Sequence, residues 1–118
     1  MKRDLNLCRN FLLLLENHPD ADLPVENSTL WEFRAKHNIN LSSFRWHVDL
    51  MIEQGWVITR INVTGDVVYT LGWNGCEALE YMRNEEAWEK AMRVPVPTWD
   101  AIQSVLYDEM WAAVDGDK

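Results

Sequence analysis

The stretch Gly72-Trp73-Asn74-Gly75 ends one apolar, alternating run and opens a long helical run that closes on Trp88-Glu89-Lys90. Its value lies in what precedes it. Trp56 to Val63 and Val67 to Leu71 are rich in β-branched and aromatic residues, and Thr64-Gly65-Asp66 joins them, so the spacing predicts a small hairpin. Downstream, helical patterning runs from Asn74 or Gly75 to Arg93, with Gly72 or Asn74 as the cap; Asn74 would have Glu77 in capping-box position.

Further upstream, Ser28 is placed to cap a short helix, Thr29 to His37, with Leu30, Phe33 and His37 facing inward. Asn38-Ile39-Asn40 is a tight connection. Ser42 is then the expected cap of a helix whose core stripe is Phe44, Val48, Met51 and Ile52, and Gly55 stands where a left-handed C-cap is wanted. Two short helices joined by a polar turn form a helix-turn-helix. At the start, Leu5, Cys8, Phe11, Leu12 and Leu15 recur at helical spacing, and Leu13 and Leu14 widen the apolar face, so this helix should lie centrally. Asn17-His18-Pro19 ends it, because proline disfavours helical geometry in the residue before it. Asp20 to Glu26 reads as an acidic loop. Pro95 and Pro97 break the fourth helix, and Thr98 caps a last one. In that helix Trp99, Ile102, Leu106, Met110 and Ala113 form one apolar stripe and Tyr107, Trp111 and Val114 a second. One side packs on its own domain; the other calls for a further cover, which makes a homodimer through this C-terminal helix, or a partner, an expectation.

Together these elements predict an α+β, mostly helical chain: a winged helix-turn-helix with a two-stranded wing and extra C-terminal helices. Residues 1–93 would be the winged-helix domain and 94–118 a helix packing on it or on a partner. A chain of 118 residues and 13.9 kDa suits one core. An apolar fraction of 47% with seven tryptophans excludes a disordered chain. The longest apolar run, Phe11 to Leu15, is too short to span a bilayer, and no cleavage site follows the N-terminus, so a soluble cytoplasmic protein with no membrane partner is expected. Cys8 and Cys76 are isolated, without metal-ligand spacing, and no cofactor is expected.

Two stretches resemble an uncharacterised bacterial and phage family of small winged-helix proteins known only as a domain of unknown function. Met1 to Arg9 is similar to its opening, MKRDxxLxR. Leu71 to Leu79, with Arg83 and Trp88-Glu89-Lys90, is similar to LTxxGxExLxxxR and WxK. Trp46-His47-Val48 with Gly55 to Ile58 also resembles the family's YHxxxLxxxGLI. Gly72 replaces the usual Thr, and Cys76 a common His. The resemblance implies the fold and an association with phages and mobile elements.

Charge qualifies the expected task. The net of −8 repels a polyanion on average, but it is uneven: residues 77–118 hold four Lys/Arg against ten Asp/Glu. Within Ser28–Asn62, Arg34, Lys36, Arg45 and Arg60 outnumber Glu32, Asp49 and Glu53. If the third helix reads DNA, Ser42, Ser43, Arg45, Trp46 and Asp49 lie on its solvent side. Arg45 would meet a guanine edge or a phosphate, while Arg34, Lys36 and Arg60 hold the backbone. The alternative for each charge is an ordinary solvated group, and for Trp46 it is packing or a protein hot spot. His47 reads as a core-edge histidine. No HExxH, GxSxG or phosphate-cradling loop appears, and Glu85, Glu86 and Glu89 form a solvated face, so the chain is not expected to be an enzyme. A DNA-binding transcriptional regulator of phage or prophage type is expected. The alternative is an acidic inhibitor that keeps the winged-helix scaffold and binds a host protein instead of double-stranded DNA.

Overall fold

The side chain of Asp4 accepts the Leu7 N–H (3.1 Å) and so caps the first helix, α1 (Leu5–Asn17). The computed structural model describes residues 2–18, 23–24, 28–94 and 98–116, with the side chains of 23–24 and 113–116 outside that description. After α1 come β1 (Leu23–Pro24), α2 (Ser28–Lys36), α3 (Leu41–Glu53), β2 (Val57–Ile61), β3 (Val67–Leu71), α4 (Trp73–Met82), α5 (Glu85–Ala91) and α6 (Trp99–Gly116). This is an α+β, winged-helix-like fold with extra helices. No described helix is long and apolar enough to cross a membrane. The chain divides into two compact units, Met1–Glu77 and Ala78–Lys118, a division that falls inside α4.

In the first unit the core gathers around Phe11. Its ring centroid lies 5.8 Å from Phe33, 5.4 Å from Phe44 and 5.9 Å from Tyr69, so one buried residue of α1 touches α2, α3 and β3. Edge-to-face geometry of this kind adds to the area buried. Leu5, Leu7, Cys8, Leu12 and Leu15 fill the rest of the α1 face, and burial pushes the Cys8 thiol up to about 12.

The ends of α2 and α3 share one device. Asn38, at φ +54°, follows α2, with Ile39 N–H donating to the Arg34 carbonyl (2.9 Å) and Asn38 N–H to Ala35 (3.3 Å). Gly55, at φ +72°, follows α3, with Trp56 N–H donating to Met51 (2.9 Å) and Gly55 N–H to Ile52 (3.0 Å). Both are Schellman closures, which need a left-handed residue. His37 lies beyond the end of α2 and is exposed, although its ring still meets Phe33 at 4.7 Å. The cap of α3 is Asn40, whose side chain accepts the Ser43 N–H (2.7 Å), and not Ser42, which sits in the first turn.

The sheet has three antiparallel strands in the order β1-β3-β2, one more than the sequence reading expected. The extra strand is two residues long and falls within the stretch read as a loop; Leu23 pairs with Tyr69 and Pro24 with Val68. Proline is tolerated there because β1 is an edge strand. β2 ends at Ile61, two residues earlier than expected, because the Asn62 side chain accepts the N–H groups of Thr64 and Asp66 (3.0 Å each) and closes a five-residue tip, 62–66.

Gly72 and Gly75 determine how the hairpin meets the next helix. A Cβ on Gly72 would strike the Gly55 carbonyl oxygen, and one on Gly75 the Trp56 carbonyl oxygen. Gly72 N–H donates to the Trp56 carbonyl (2.9 Å), and the Asn74 amide to the Gln54 carbonyl (2.9 Å). The Gly72 carbonyl accepts the Cys76 N–H, so Gly72 is the residue at the mouth of α4 and Asn74 is an inter-segment strut.

The helix expected to run to Arg93 is two helices. Asn84 interrupts it, and its side chain accepts the Ala87 N–H to start α5, with Glu85 and Glu86 in the favourable first turn. In the second unit α5 packs on α6, where Ile102 and Leu106 are buried, and Thr98 caps α6 as expected through the Ala101 N–H. Met110, placed in the same stripe as Ile102 and Leu106, is exposed; Tyr107 and Trp111 of the second stripe are exposed as well. Pro95, Pro97 and the side chains of Ala113 and Val114 lie outside the described residues.

Two outcomes follow from this packing. Gly75→Ala, which in an ordinary helix would gain up to about 1 kcal/mol, is expected to lose about 2 kcal/mol or more through overpacking. Gly65→Ala, where the Cβ meets open space at φ +86°, should lose only about 1–2 kcal/mol; urea denaturation of both variants checks the order. Cys8 titrates near 9.0 when unfolded and near 12 when folded, so the native state holds that proton more tightly. Its contribution is complete below pH 9 and falls as pH rises towards 12, and denaturation midpoints across that window should decline less steeply in Cys8→Ala.

Candidate nucleic-acid interface

Helix α3 is fixed by what it buries. Phe44, His47, Val48 and Met51 point into the first unit, and Ser42, Arg45 and Asp49 are exposed on the other side. His47 is the one buried polar side chain among the described residues. Its Nε2 accepts the Asp4 N–H (2.8 Å) and its Nδ1 donates to the Ser43 carbonyl (2.7 Å). A donor at one nitrogen and a carbonyl at the other assign the neutral ring protonated on Nδ1. This histidine is a strut between α1 and α3, and both ring nitrogens are satisfied.

Of the eight proposed contact residues, five are exposed and three carry a specific engagement that limits them. Ser42, Arg45, Asp49, Lys36 and Arg60 are exposed. Ser43 is half-buried and tied on both sides, its N–H to Asn40 and its carbonyl to His47, with its hydroxyl 3.4 Å from His47 Nδ1. Trp46 is half-buried, and its ring stands edge-on to His47 at 5.0 Å. Arg34 lies with its guanidinium 5.7 Å from the centre of the Trp31 ring, and its Nε is buried without a hydrogen-bond partner. Trp31, Arg34, Ala35, Asn38, Ile39 and Asn40 line a shallow depression of about 410 Å³ at the elbow of the helix-turn-helix.

The wing borders the outer turn of α3. Tyr69 on β3 has its hydroxyl pushed above the ordinary 10.0, first by burial and then by the Asp49 carboxylate, with Arg45 acting the other way. Arg45 and Asp49 therefore form one electrostatic cluster with the wing, while Arg60 lies along β2 and Arg34 and Lys36 at the end of α2.

Sequence reasoning did not single out three contributors. Lys2 and Arg3 are exposed and are brought to α3 because the next residue, Asp4, bonds His47. Trp31 is 72% exposed; it directly follows Leu30, whose inward position already turned it to solvent. Cys76 is exposed, and no cluster of metal-ligating side chains occurs among the described residues.

The element order, the outward face of α3 and the hairpin beside it define a winged-helix-like protein. The profile of a family described as hypothetical proteins, DUF2513, matches residues 2–95, and the chain belongs to that family. No curated protein and no solved structure matches it.

His47→Ala removes two hydrogen bonds, strands the Asp4 N–H and leaves a cavity, for an expected loss of about 3 kcal/mol. Asp4→Ala keeps the backbone N–H that reaches His47 and loses only the α1 cap, about 1 kcal/mol. Equal losses in chemical denaturation would contradict the strut.

Proposed function

We propose that this chain is a DNA-binding transcriptional regulator of the kind carried by phages and prophages, acting in the cytoplasm on duplex DNA. One observation carries the reading: the buried side of α3 turns Ser42, Arg45 and Asp49 outward beside the wing, as a helix entering the major groove requires. Arg45 is the base-edge or phosphate contact. Arg34, Lys36 and Arg60 set the register on the backbone, and Lys2 and Arg3 add charge at the α1 end of α3. The −8 net charge opposes binding, and the locally positive Ser28–Asn62 segment offsets it only in part, so affinity should be modest and salt-sensitive.

A second reading has its own support. Tyr107 and Trp111 on α6 are 48% and 52% exposed, their rings 6.0 Å apart, in the more acidic part of the chain. That combination suits an acidic inhibitor that anchors on a host protein through aromatic side chains, or a second copy joined through α6.

Mobility shift and fluorescence anisotropy against salt separate the two. The regulator should retard duplex DNA at low ionic strength, with log affinity falling by about 0.9 per phosphate neutralised for each unit of log salt. Arg45→Ala should weaken a preferred site by about 1–3 kcal/mol. Lys36→Ala and Arg60→Ala should weaken all duplexes alike. Absence of any shift at low salt removes the regulator reading.

A further inference from the structure

The tip of the wing is apolar where a nucleic-acid contact is ordinarily basic. Val63 is fully exposed, Ile61 is 72% exposed and Val67 is exposed as well, three aliphatic side chains within residues 61–67. Residues 54–76 contain Arg60 and Asp66 as their only ionised side chains. The turn that carries Val63 is tied from within. Asn62 Oδ1 accepts the N–H groups of Thr64 and Asp66 (3.0 Å each), and Gly65 N–H donates to the Asn62 carbonyl (3.0 Å). The Thr64 hydroxyl lies 2.6 Å from Asn62 Oδ1 and 2.9 Å from Asp66 Oδ2 and donates to one of them. A turn held in this way loses little freedom when its apolar tip is covered, so most of the gain from covering it is kept.

The register shows which way the tip faces. Residues directly opposite in a sheet, and residues two apart on one strand, share a face. Thr59 pairs with Tyr69 and Ile61 with Val67, so Ile61 and Val67 continue the face of Tyr69. The Tyr69 ring meets Phe11 at 5.9 Å, and its hydroxyl feels Asp49 and Arg45, both exposed on α3. The aliphatic pair therefore lies beyond the core, on the side that α3 would present to a duplex. Five residues of β2 at about 3.4 Å each carry the tip about 17 Å from the Gly55–Gly72 contact, enough to cross a phosphate ridge from a major groove about 12 Å wide. Charge selects what the tip can meet there. Arg60 and Asp66 cancel, so a phosphate ridge does not attract it, whereas sugars and base faces suit aliphatic side chains.

We propose that the wing tip is a wedge: Val63 enters a base step from the minor groove and partly unstacks it, while Ile61 and Val67 pack on the adjoining sugars. This rests on the reading of α3 as a DNA-contacting helix and adds a preference that α3 itself cannot express. Unstacking costs least at flexible pyrimidine–purine steps and most in stiff A-tracts. The tip thus discriminates by deformability, without a hydrogen bond to any base.

Two duplexes of equal length, one with TA steps in each helical turn and one built of A-tracts, are compared at low salt by fluorescence anisotropy. In parallel, a closed circular plasmid is relaxed by topoisomerase in the presence of the protein. The wild type should prefer the TA duplex by about tenfold and should shift the linking number of the plasmid, because an opened step is also untwisted. Val63→Ser, at a position with no buried surface, should keep the wild-type circular dichroism, bind both duplexes alike and lose most of the linking-number shift. Val63→Phe, a larger wedge, should increase that shift. Wild-type binding without preference and without a linking-number change overturns the wedge and leaves the DNA reading standing. A preference that survives in Val63→Ser also overturns the wedge. Failure of the wild type to bind either duplex at low salt overturns the DNA reading, and the wedge with it.

Discussion

Two backbone turns meet with no room for a side chain between them: the Gly55-Trp56 segment that leaves α3, and the Gly72–Gly75 segment that leaves β3. A left-handed glycine stops α3 on one side of this contact, and on the other side the Gly72 carbonyl starts α4. Two polar ties cross it, from Gly72 N–H to the Trp56 carbonyl and from the Asn74 amide to the Gln54 carbonyl. Because β2 begins and β3 ends at the same point, the angle between the wing and α3 is set there. The rest of the first unit has to accommodate that angle.

The accommodation is aromatic on one side and polar on the other. Phe11 gathers Phe33, Phe44 and Tyr69, which fixes which side of α3 is inward but tolerates small slides along the helix. His47 removes that freedom, because its two nitrogens require the Asp4 N–H and the Ser43 carbonyl at once. A fully satisfied buried polar group specifies one arrangement where apolar contacts alone would allow several. The opening stretch around Asp4 and the Trp46-His47-Val48 stretch, distant in sequence, thus meet at the Asp4–His47 hydrogen bond. The outward position of Arg45 and Asp49 is the consequence.

Much of this was legible in the sequence, and the misses share a cause. Helical and alternating periodicities are strong over ten residues, so α1, α3 and the hairpin were readable, and Gly55 announced its own left-handed turn. β1 was missed because two residues, one of them proline, carry no period. The break between α4 and α5 was missed because Asn84 acts through a local side-chain bond that competes with a continuing helix. The choice of Asn40 over Ser42 as the α3 cap is a shift of two residues between equally good capping types. The site was half legible: which residues of α3 face out follows from its period, but the tie holding Ser43 and the recruitment of Lys2 and Arg3 depend on contacts between distant segments.

Amide hydrogen exchange resolved by residue tests the central constraint directly. If the contact between the two turns governs the first unit, the Trp56 and Gly72 amides exchange only through global unfolding, with the same free energy as Leu12 and Leu15 inside α1. Fast exchange at Trp56 and Gly72 while Leu12 and Leu15 stay protected would mean that the turns open by themselves, and the orientation of α3 against the wing would need another cause.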